Sequence, residues 1–526
     1  MPDGPSPLRS TITVSALRAL ATILSLILGV LSAAYFGASR EKDCLVVAEM
    51  IPRLLTTLIV GGLYSTLLVA LSRIGGAEGG TAQLHHLRWT LRRISFMLAP
   101  VLLVAMLMPQ PVIRLIAPGF RAGQVILAGR LLTITTLTMV GAVHFALMKS
   151  LFNSRGHFAV PGLTNLLIGL LSIGCLVAMV DQIGIFALAV GSLAGTLAAA
   201  IVITLLGVRM VRKAPPGQPG AGSRDRLPAQ HGNFWRDFFL MSVSANFAQV
   251  NLLVDNAFAS FLPTGSIALL GFAFVVVTNV QLLTTLSLAE VAFPRMAVAD
   301  QQGGGALGET LRVNLRYMVL GAAPLVAGLM TFGGPMVRLL LERGRFGPGD
   351  TRAVAGLLIC YGPGMLFAGY LSLFWRALVA RRRFKQVAWC SAGAVVANLV
   401  LDSLLMRPFG IYGIAAATSV VQLLHLLILV PIVRREVGAF YPRAEWRYLF
   451  RVLAGAALMG GVVLGWAFAV SSWLSPTGEA SRFVEFLSGT TLGALTYLVL
   501  LRAFRIGEAH RILARFLRSA GIWRSP

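Results

Sequence analysis

The sequence predicts an all-α, polytopic membrane protein with about fourteen transmembrane helices, and three observations lead to this fold class. Hydrophobic residues make up 56% of the 526-residue chain and charged residues only 12%, whereas a soluble domain carries roughly 25% charged residues. The apolar residues fall into separate runs, and a bilayer core needs about 20 such residues per helix. Because backbone polar groups must hydrogen-bond to one another within lipid, these runs are expected to be helices.

The predicted spans follow one another along nearly the whole chain, with boundaries known to within a few residues. They cover residues 12–36, 45–71, 91–110, 130–152, 160–180, 183–208, 238–261, 266–289, 314–334, 354–378, 386–405, 411–433, 448–471 and 483–501. The first run has the length of a span and lacks the cleavage site of a signal peptide, so we expect it to be retained. The spans leave no connector long enough to fold as a separate catalytic domain.

The spans group into two six-helix bundles followed by two additional helices. We expect the first bundle to cover residues 1–210 and the second to cover residues 238–435. Residues 211–237 are rich in proline and glycine, which is typical of a mobile linker. Residues 436–526 would add two transmembrane helices and a basic amphipathic tail at 505–518, which we expect to lie on an anionic membrane surface.

Lys and Arg residues border the spans, and their distribution predicts the orientation of the chain. They are concentrated in the C-terminal tail and in the connectors 209–237 and 379–385, all on the same side as the two termini. The positive-inside rule therefore places both termini in the cytoplasm. The connector 335–353 carries four arginines on the opposite side, against the rule. This pattern also accounts for the net charge of +25 without nucleic acid as a partner.

The sequence lacks the motifs of enzymes and metal sites. Its seven histidines include no His-Glu-x-x-His, and its four cysteines are scattered without metal-ligand spacing. There is no Gly-x-Ser-x-Gly elbow and no Walker loop. We therefore predict a protein that is not an enzyme and holds no cofactor or metal. Transport would draw on an ion gradient, the membrane potential or a cargo gradient.

Short motifs along residues 10–435 occur in a characteristic order. They are Ala34-Tyr-Phe-Gly-Ala-Ser39 with Asp43, Ala117-Pro-Gly-Phe120, Leu151-Phe-Asn-Ser154, Ala259-Ser-Phe-Leu262, Arg343-Gly-Arg-Phe346, and Gly410 with Gly413. Together they resemble the MurJ/MviN-type lipid II flippases of the multidrug/oligosaccharidyl-lipid/polysaccharide exporter superfamily. The resemblance implies fourteen spans, alternating access of two bundles about a central cavity, and a lipid-linked glycan as the cargo.

The chain departs from this family where the family carries cavity arginines. Alignment on Phe36-Gly37 places Thr22, Leu28 and Thr56 at these positions, and Arg18 lies one turn too early. The family's Asp-Arg pair in the eighth span corresponds to Phe274-Val-Val276. Guanidinium groups bind phosphate oxygens in a bidentate fork, so the departures remove specific ligands for a diphosphate. The resemblance therefore implies lipid II as the first cargo, and a polyisoprenoid-linked exopolysaccharide repeat unit is the alternative.

Two further function classes stay open. One is a pseudo-flippase that binds a partner without transporting anything, and it would tolerate neutral substitutions of the charged residues within the spans. The other is a cation-coupled exporter of small molecules, which needs an acidic residue inside a span. For the flippase we expect a monomer whose partners are the lipid-linked glycan and the membrane lipids.

The start of the second span holds the first group of candidate functional residues. Ionisable residues within spans cost about 2.5–3.5 kcal/mol on insertion scales, which makes Asp43, Glu49 and Arg53 candidates for a gate or a headgroup contact. Glu49 and Arg53 are four residues apart, share a helix face and can pair. The structural alternative is an interfacial ion pair.

The seventh span contains a second, unusually polar group. Asn246, Gln249 and Asp255 belong to it, and a polar stripe is expected to face a cavity or another helix rather than lipid. Asp255 is predicted to couple transport to protons or sodium, or to contact sugar hydroxyls; the alternative is a role in packing. Asn279 in the eighth span is a further candidate.

His144 and Lys149 in the fourth span form a third pair of candidates for contact with the cargo. For Lys149 the alternative is that its ammonium reaches toward the end of the span.

Overall fold

The computed structural model describes residues 7–77, 79–213, 247–303, 305–381, 383–438, 440, 443–474 and 478–507. These residues form α-helices joined by short turns, and the described part of the chain contains no strand. The all-α fold class is thereby confirmed. The chain divides into two compact units, Met1–Ala268 and Leu269–Pro526.

Eight helices of the described residues lie wholly within the first unit. They are α1 (Pro7–Phe36), α2 (Arg40–Ala77), α3 (Gly79–Leu107), α4 (Pro109–Ile116), α5 (Ala122–Ser154), α6 (Ala159–Ile183), α7 (Phe186–Lys213) and α8 (Phe247–Ala259). Helix α9 (Ser266–Gln281) begins at the end of this unit. Pro109 is the first residue of α4, a position that proline favours because the first N–H groups of a helix have no partner within it. A new helix therefore starts at Pro109, and α3 ends at Leu107, before the predicted end of the third span at residue 110.

The core of the first unit forms where α5 packs between α2 and α7. Buried leucines recur every fourth residue along α2, and apolar residues do the same along α5, so each helix presents a continuous apolar stripe to the other. These residues are Leu63, Leu67 and Leu71 on α2 and Met139, Val143 and Leu147 on α5. Helix α3 adds Leu87 and Ile94 to the same core.

Helix α1 packs along α6. Glycines allow this close approach: a Cβ added at Gly162 would lie 2.8 Å from a methyl carbon of Leu17, and one at Gly169 would lie 3.0 Å from Leu24 Cβ. Small residues at a helix contact are a common device within membranes, where apolar burial adds little to association.

The second unit contains the remaining helices. After α9 a π-helical turn, Leu282–Leu286, leads into α10 (Ser287–Gln302), followed by α11 (Ala306–Leu341), α12 (Pro348–Ala380), α13 (Phe384–Phe409), α14 (Ile411–Val437), α15 (Arg443–Leu474) and α16 (Glu479–Ala503). The eighth predicted span thus continues to Gln302 through a local change of helical pitch. Arg338 and Arg352 lie within helices rather than in the predicted connector 335–353.

The core of the second unit lies between α11, α12 and α14, and the last two helices pack against α11. Leu315 and Val319 of α11 are buried together with Val452 of α15 and Leu501 of α16. The Tyr497 hydroxyl of α16 donates a hydrogen bond to the Leu320 carbonyl at 3.0 Å. The two additional helices are therefore an integral part of the second unit.

Twelve helices of the described part are long and apolar enough to cross a membrane. The beginning of the seventh predicted span, most of the linker 211–237 and the tail after residue 507 lie outside the described residues. The division of the chain at residues 210, 238 and 435 stays a prediction, and helix α8 belongs to the first unit.

Candidate functional site

Asp43 joins the start of α2 to the start of α9. It lies in the first turn of α2 and is 2% exposed. Its Oδ2 atom accepts a hydrogen bond from the Gly265 N–H at 2.5 Å, and its Oδ1 atom accepts one from the Ala268 N–H at 2.7 Å. A carboxylate at this place caps the N-terminus of α9, where unpaired N–H groups and the helix dipole favour a negative charge. We call this arrangement the Asp43 latch.

Glycines bring the backbones around the latch into close contact. Gly265 has a φ of +94°, a conformation that favours glycine, and a Cβ there would collide with the Ala38 carbonyl. A Cβ on Gly119 would collide with the backbone of Ser260. The Gly119 N–H donates to Ser260 Oγ at 3.0 Å, which ties the loop after α4 to the turn after α8.

A small cavity of about 210 Å³ adjoins the latch, and Asp43, Gln124 and Ser260 contribute polar groups to its wall. Ligand sites for drug-sized molecules occupy roughly 300–1,000 Å³, so this space suits a few water molecules rather than a glycan headgroup. The latch therefore holds two chain segments together and leaves no room for a cargo headgroup beside Asp43. Of the two roles predicted for Asp43, a gate is more compatible with this small cavity than a headgroup contact.

Glu49 and Arg53 lie further along α2. Glu49 is half-buried and Arg53 is exposed, and their expected pairing is not among the ion pairs of the described residues. The carboxylate of Glu49 lies close enough to Lys42 for the opposite charges to attract. The Arg53 carbonyl accepts a hydrogen bond from the Thr57 hydroxyl at 2.8 Å.

The polar group of the seventh predicted span is only partly described, because Asn246 lies outside the described residues. On α8, Asp255 is buried and Gln249 is half-buried. The Oδ1 atom of Asn251 is buried and has no hydrogen-bond partner in the described part of the chain. These side chains avoid full exposure, as expected for a polar stripe within a span.

Asn279 on α9 satisfies its own amide within the helix. Its Nδ2 atom donates to the Val275 carbonyl at 2.8 Å. A side chain that bonds to the preceding turn of its own helix has fewer donors left for a ligand.

Sequence reasoning missed a buried polar pair in the second unit. Asn398 and Asp402 lie one turn apart on α13, both have no exposed surface, and Asn398 Nδ2 donates to Asp402 Oδ2 at 2.9 Å. The Oδ1 atom of each has no hydrogen-bond partner within the described residues. Ionisable groups at such a depth are expensive and mark functional positions. The signal was present in the sequence, since an acid stands inside the predicted span 386–405.

Lys149 lies beside Tyr64 in the first unit. Its ammonium is 5.1 Å from the centroid of the Tyr64 ring, and Asn153 Nδ2 donates to the Tyr64 hydroxyl at 2.9 Å. The ammonium thus rests against an aromatic face, which attracts a cation through its quadrupole. His144, the other candidate on α5, is half-buried.

Ion pairs in the second unit attach the last two helices. Glu445 at the start of α15 is 1% exposed and accepts hydrogen bonds from Arg316 at 2.6 Å and 2.7 Å and from Arg312 at 3.2 Å. At the start of α16, Glu485 pairs with Arg338 at 3.8 Å. Because these groups neutralise each other, they have a structural role. No cluster of His, Cys, Asp and Glu in the described part of the chain is suited to hold a metal.

Comparison with known proteins gives one consistent result. The family described as Lipid II flippase MurJ matches residues 32–477. A probable lipid II flippase MurJ from Vibrio cholerae is 27% identical, covering 94% of this chain and 95% of its own. The lipid II flippase MurJ of Burkholderia cenocepacia is 24% identical, covering 88% and 91%.

Two solved structures share the fold. The lipid II flippase MurJ in an inward closed conformation superposes with a TM-score of 0.75 at 23% identity, covering 94% of this chain and 98% of its own. An inward-facing multidrug resistance transporter of the MATE family has a TM-score of 0.66 at 12% identity, covering 82% and 98%. The family match over most of the sequence confirms the resemblance carried by the short motifs, and the chain belongs to the lipid II flippase MurJ family.

Proposed function

We propose that this protein is a flippase that moves a polyisoprenoid-linked glycan across the bacterial cytoplasmic membrane, with the peptidoglycan precursor lipid II as the first cargo to test. The observation that carries the proposal is the family match over residues 32–477, which includes helices of both units. The relatives from V. cholerae and B. cenocepacia bear the same flippase name. The twelve apolar helices found among the described residues provide the membrane-embedded scaffold that such transport needs.

The proposed mechanism is alternating access, in which the cargo site opens to one side of the membrane at a time. The Asp43 latch supports this mechanism, because one carboxylate ties the start of α2 to the start of α9. Two hydrogen bonds can break and re-form during a transport cycle, since each contributes only about 0.5–3 kcal/mol. The latch would be closed while the other side of the protein is open.

The driving force is proposed to be an ion gradient that acts on Asp402. The sequence has no Walker loop for ATP, and Asp402 is a wholly buried acid in a membrane-spanning helix beside the amide of Asn398. Binding of a proton or a sodium ion neutralises such a carboxylate and changes the cost of its burial. Asp255 of the first unit, for which the sequence predicts the same coupling role, is the second candidate.

The proposal includes the location and partners of the chain. Both termini would be cytoplasmic, because Lys and Arg are concentrated in the connectors on that side. The partners would be the lipid-linked cargo and the surrounding lipids. We propose that the protein is a monomer and binds no nucleic acid.

Rescue of bacteria depleted of their own lipid II flippase tests the cargo. We expect growth and normal cell shape when this chain is expressed in the membrane at the level of a rescuing homologue. A parallel assay follows translocation of purified lipid II in proteoliposomes. Channel-like leakage without headgroup translocation would rule out the flippase, and binding of a partner protein without any transport would favour a pseudo-flippase.

A second cargo is favoured by one specific observation. Thr22, Leu28 and Thr56 occupy the positions at which the resemblance leads us to expect arginines. An exopolysaccharide repeat unit on the same type of lipid carrier is therefore the alternative. Translocation of a polyisoprenoid-linked oligosaccharide, together with failure to move lipid II, would identify it. Sensitivity of a deletion strain to toxic cations would instead indicate a small-molecule exporter.

A further inference from the structure

Helix α3 has one packed face and one open face. The packed face presents Leu87, Ile94 and Leu98 to the core of the first unit. On the opposite face an exposed stripe of side chains recurs at steps of three and four residues, the spacing of one side of a helix. Its members are His85, Arg88, Arg92, Arg93, Phe96, Met97, Leu103 and Leu107. Because the packed face fixes the rotation of α3, this stripe points away from the core of the first unit.

The stripe changes from basic to apolar along the helix. Arginines occupy its first half, the side chains from Phe96 to Leu107 are apolar, and α3 contains no Asp or Glu. Phe96 is 82% exposed and Leu107 is 77% exposed. At 1.5 Å per residue, the helix rises by about 16 Å from Phe96 to Leu107, half of the roughly 30 Å hydrocarbon core of a bilayer. The apolar part of the stripe is therefore as long as one leaflet is thick, and the arginines stand at the level of the headgroups.

A groove lies where the stripe changes from basic to apolar. It has a volume of about 660 Å³, within the range of small-molecule sites. It is lined by Trp89, Arg92, Arg93, Phe96 and Met97. Both guanidinium groups are exposed, so they can be reached without displacement of packed side chains. The groove thus combines cationic donors with an apolar wall in the order in which a phospholipid carries its headgroup and its acyl chains.

The ring of Trp89 positions one of the two arginines. The guanidinium carbon of Arg93 lies over this ring, 4.4 Å from its centroid, and the His86 ring stacks on Trp89 with 5.6 Å between centroids. A guanidinium that rests on an aromatic face keeps N–H donors at its edge, where they can meet phosphate oxygens. Tryptophan is also the residue type that favours the boundary between headgroups and hydrocarbon.

We propose that this groove binds an anionic phospholipid, with Arg92 and Arg93 on the phosphate diester and the side chains from Phe96 onward along the acyl chains. In the proposed orientation the start of α3 faces the cytoplasmic leaflet, whose anionic lipids attract Lys and Arg near the surface. A second copy of the chain that docked through the same face would bring like charges together. The inference goes beyond flippase activity, because this lipid lies on the outside of α3 and is not the cargo.

Photocrosslinking of a lipid to the purified full chain tests the site. The protein is reconstituted in phosphatidylcholine nanodiscs with a subsaturating fraction of phosphatidylglycerol that carries a diazirine at the start of one acyl chain. Labelled α3 peptides are counted by mass spectrometry. We expect the double variant Arg92→Gln with Arg93→Gln to lower this labelling by roughly 10- to 30-fold, because each basic residue near an anionic lipid surface contributes about 5-fold.

Two further variants separate charge from other effects. Arg92→Lys with Arg93→Lys keeps both charges and should be labelled within about 3-fold of the unmodified chain. Arg212→Gln is the matched control: Arg212 is exposed at the end of α7, on the same side of the membrane in the proposed orientation, and has no aromatic residue one turn before it. Labelling of α3 should be unchanged in this control.

The lipid headgroup and the oligomeric state decide the outcome. A diazirine phosphatidylcholine with the same acyl chains should label α3 at least about 5-fold less than the phosphatidylglycerol probe does. Equal labelling by the two lipids would show contact without recognition of charge and would overturn the inference, as would unchanged labelling in the glutamine variant. Crosslinks between the α3 peptides of two chains would assign the groove to a second copy. The flippase proposal stands in each of these cases, since the cargo is not part of the measurement.

Discussion

The Asp43 carboxylate caps the N-terminus of α9, more than two hundred residues away in sequence, through a 2.5 Å hydrogen bond from the Gly265 N–H. Asp43→Asn removes the negative charge and turns one of its two acceptor atoms into a donor that faces a backbone N–H. We expect amide exchange of Gly265 and Ala268 to become roughly 10- to 100-fold faster, because charge-assisted hydrogen bonds of about 1.5–3 kcal/mol are lost.

Hydrogen–deuterium exchange with mass spectrometry measures this effect in the peptide that covers residues 263–270. Glu41→Gln is the matched control, since Glu41 lies two residues before Asp43 and is half-buried without being part of the latch. Equal exchange in Asp43→Asn and the unmodified chain would show that the latch contributes no stability. If the latch is a gate, Asp43→Asn should also reduce translocation.

Gly119→Ala tests the second contact of the same region. The added methyl group would overlap the backbone of Ser260, and such overpacking costs about 1–3 kcal/mol. We expect a lower melting temperature in detergent together with reduced transport. Gly29→Ala is the control, because no atom lies within 4 Å of a Cβ at that position. A Gly119→Ala variant that melts like the control would mean that the loop after α4 moves aside without cost.

The spans were predictable from the sequence because hydropathy and helix length are both properties of single segments. Four-residue spacing of Leu63, Leu67 and Leu71 likewise reveals the packed face of α2 without a structure. The family resemblance was predictable from short turn motifs such as Ala117-Pro-Gly-Phe120. The glycine of this motif lies against the backbone of Ser260. Features that depend on one segment alone, or on a motif, are accessible from sequence.

The partners of individual polar side chains were not predictable in the same way. The four-residue spacing allowed an ion pair between Glu49 and Arg53. In the structure the Glu49 carboxylate lies close enough to Lys42 for their opposite charges to attract. Which of two nearby cations an acid approaches depends on side-chain rotamers, which the spacing does not determine. The capping of α9 by Asp43 depends on a contact between residues far apart in the chain, which no local pattern encodes. Asp402 was overlooked because a single acid lowers the mean hydropathy of a span only slightly.

Glu445→Gln tests whether the buried ion pairs have a structural role. The substitution leaves Arg312 and Arg316 facing a neutral amide, and the lost stability should be about 1–3 kcal/mol, because both arginines are partly exposed to screening. We expect a lower melting temperature but an unchanged preference between cargoes. Glu309→Gln, at the exposed end of the same network, should lower it far less. Altered cargo preference in Glu445→Gln would contradict a purely structural role.

Asp402→Asn tests the proposed coupling of transport to an ion gradient. The amide keeps the shape of the side chain and can still accept the hydrogen bond from Asn398, but it cannot gain or lose a charge when a proton or sodium ion binds. We expect cargo movement in proteoliposomes to lose its dependence on the imposed proton or sodium gradient, and the gradient-driven rate to fall by roughly 10-fold or more, since a group that is essential for coupling contributes several kcal/mol. Asp255→Asn is measured in parallel as the second buried carboxylate, and Asp181→Asn, at an exposed position, is the control. If the gradient still accelerates transport equally in Asp402→Asn and in the control, then Asp402 has only a packing role; if Asp255→Asn alone loses the response, coupling resides in the first unit.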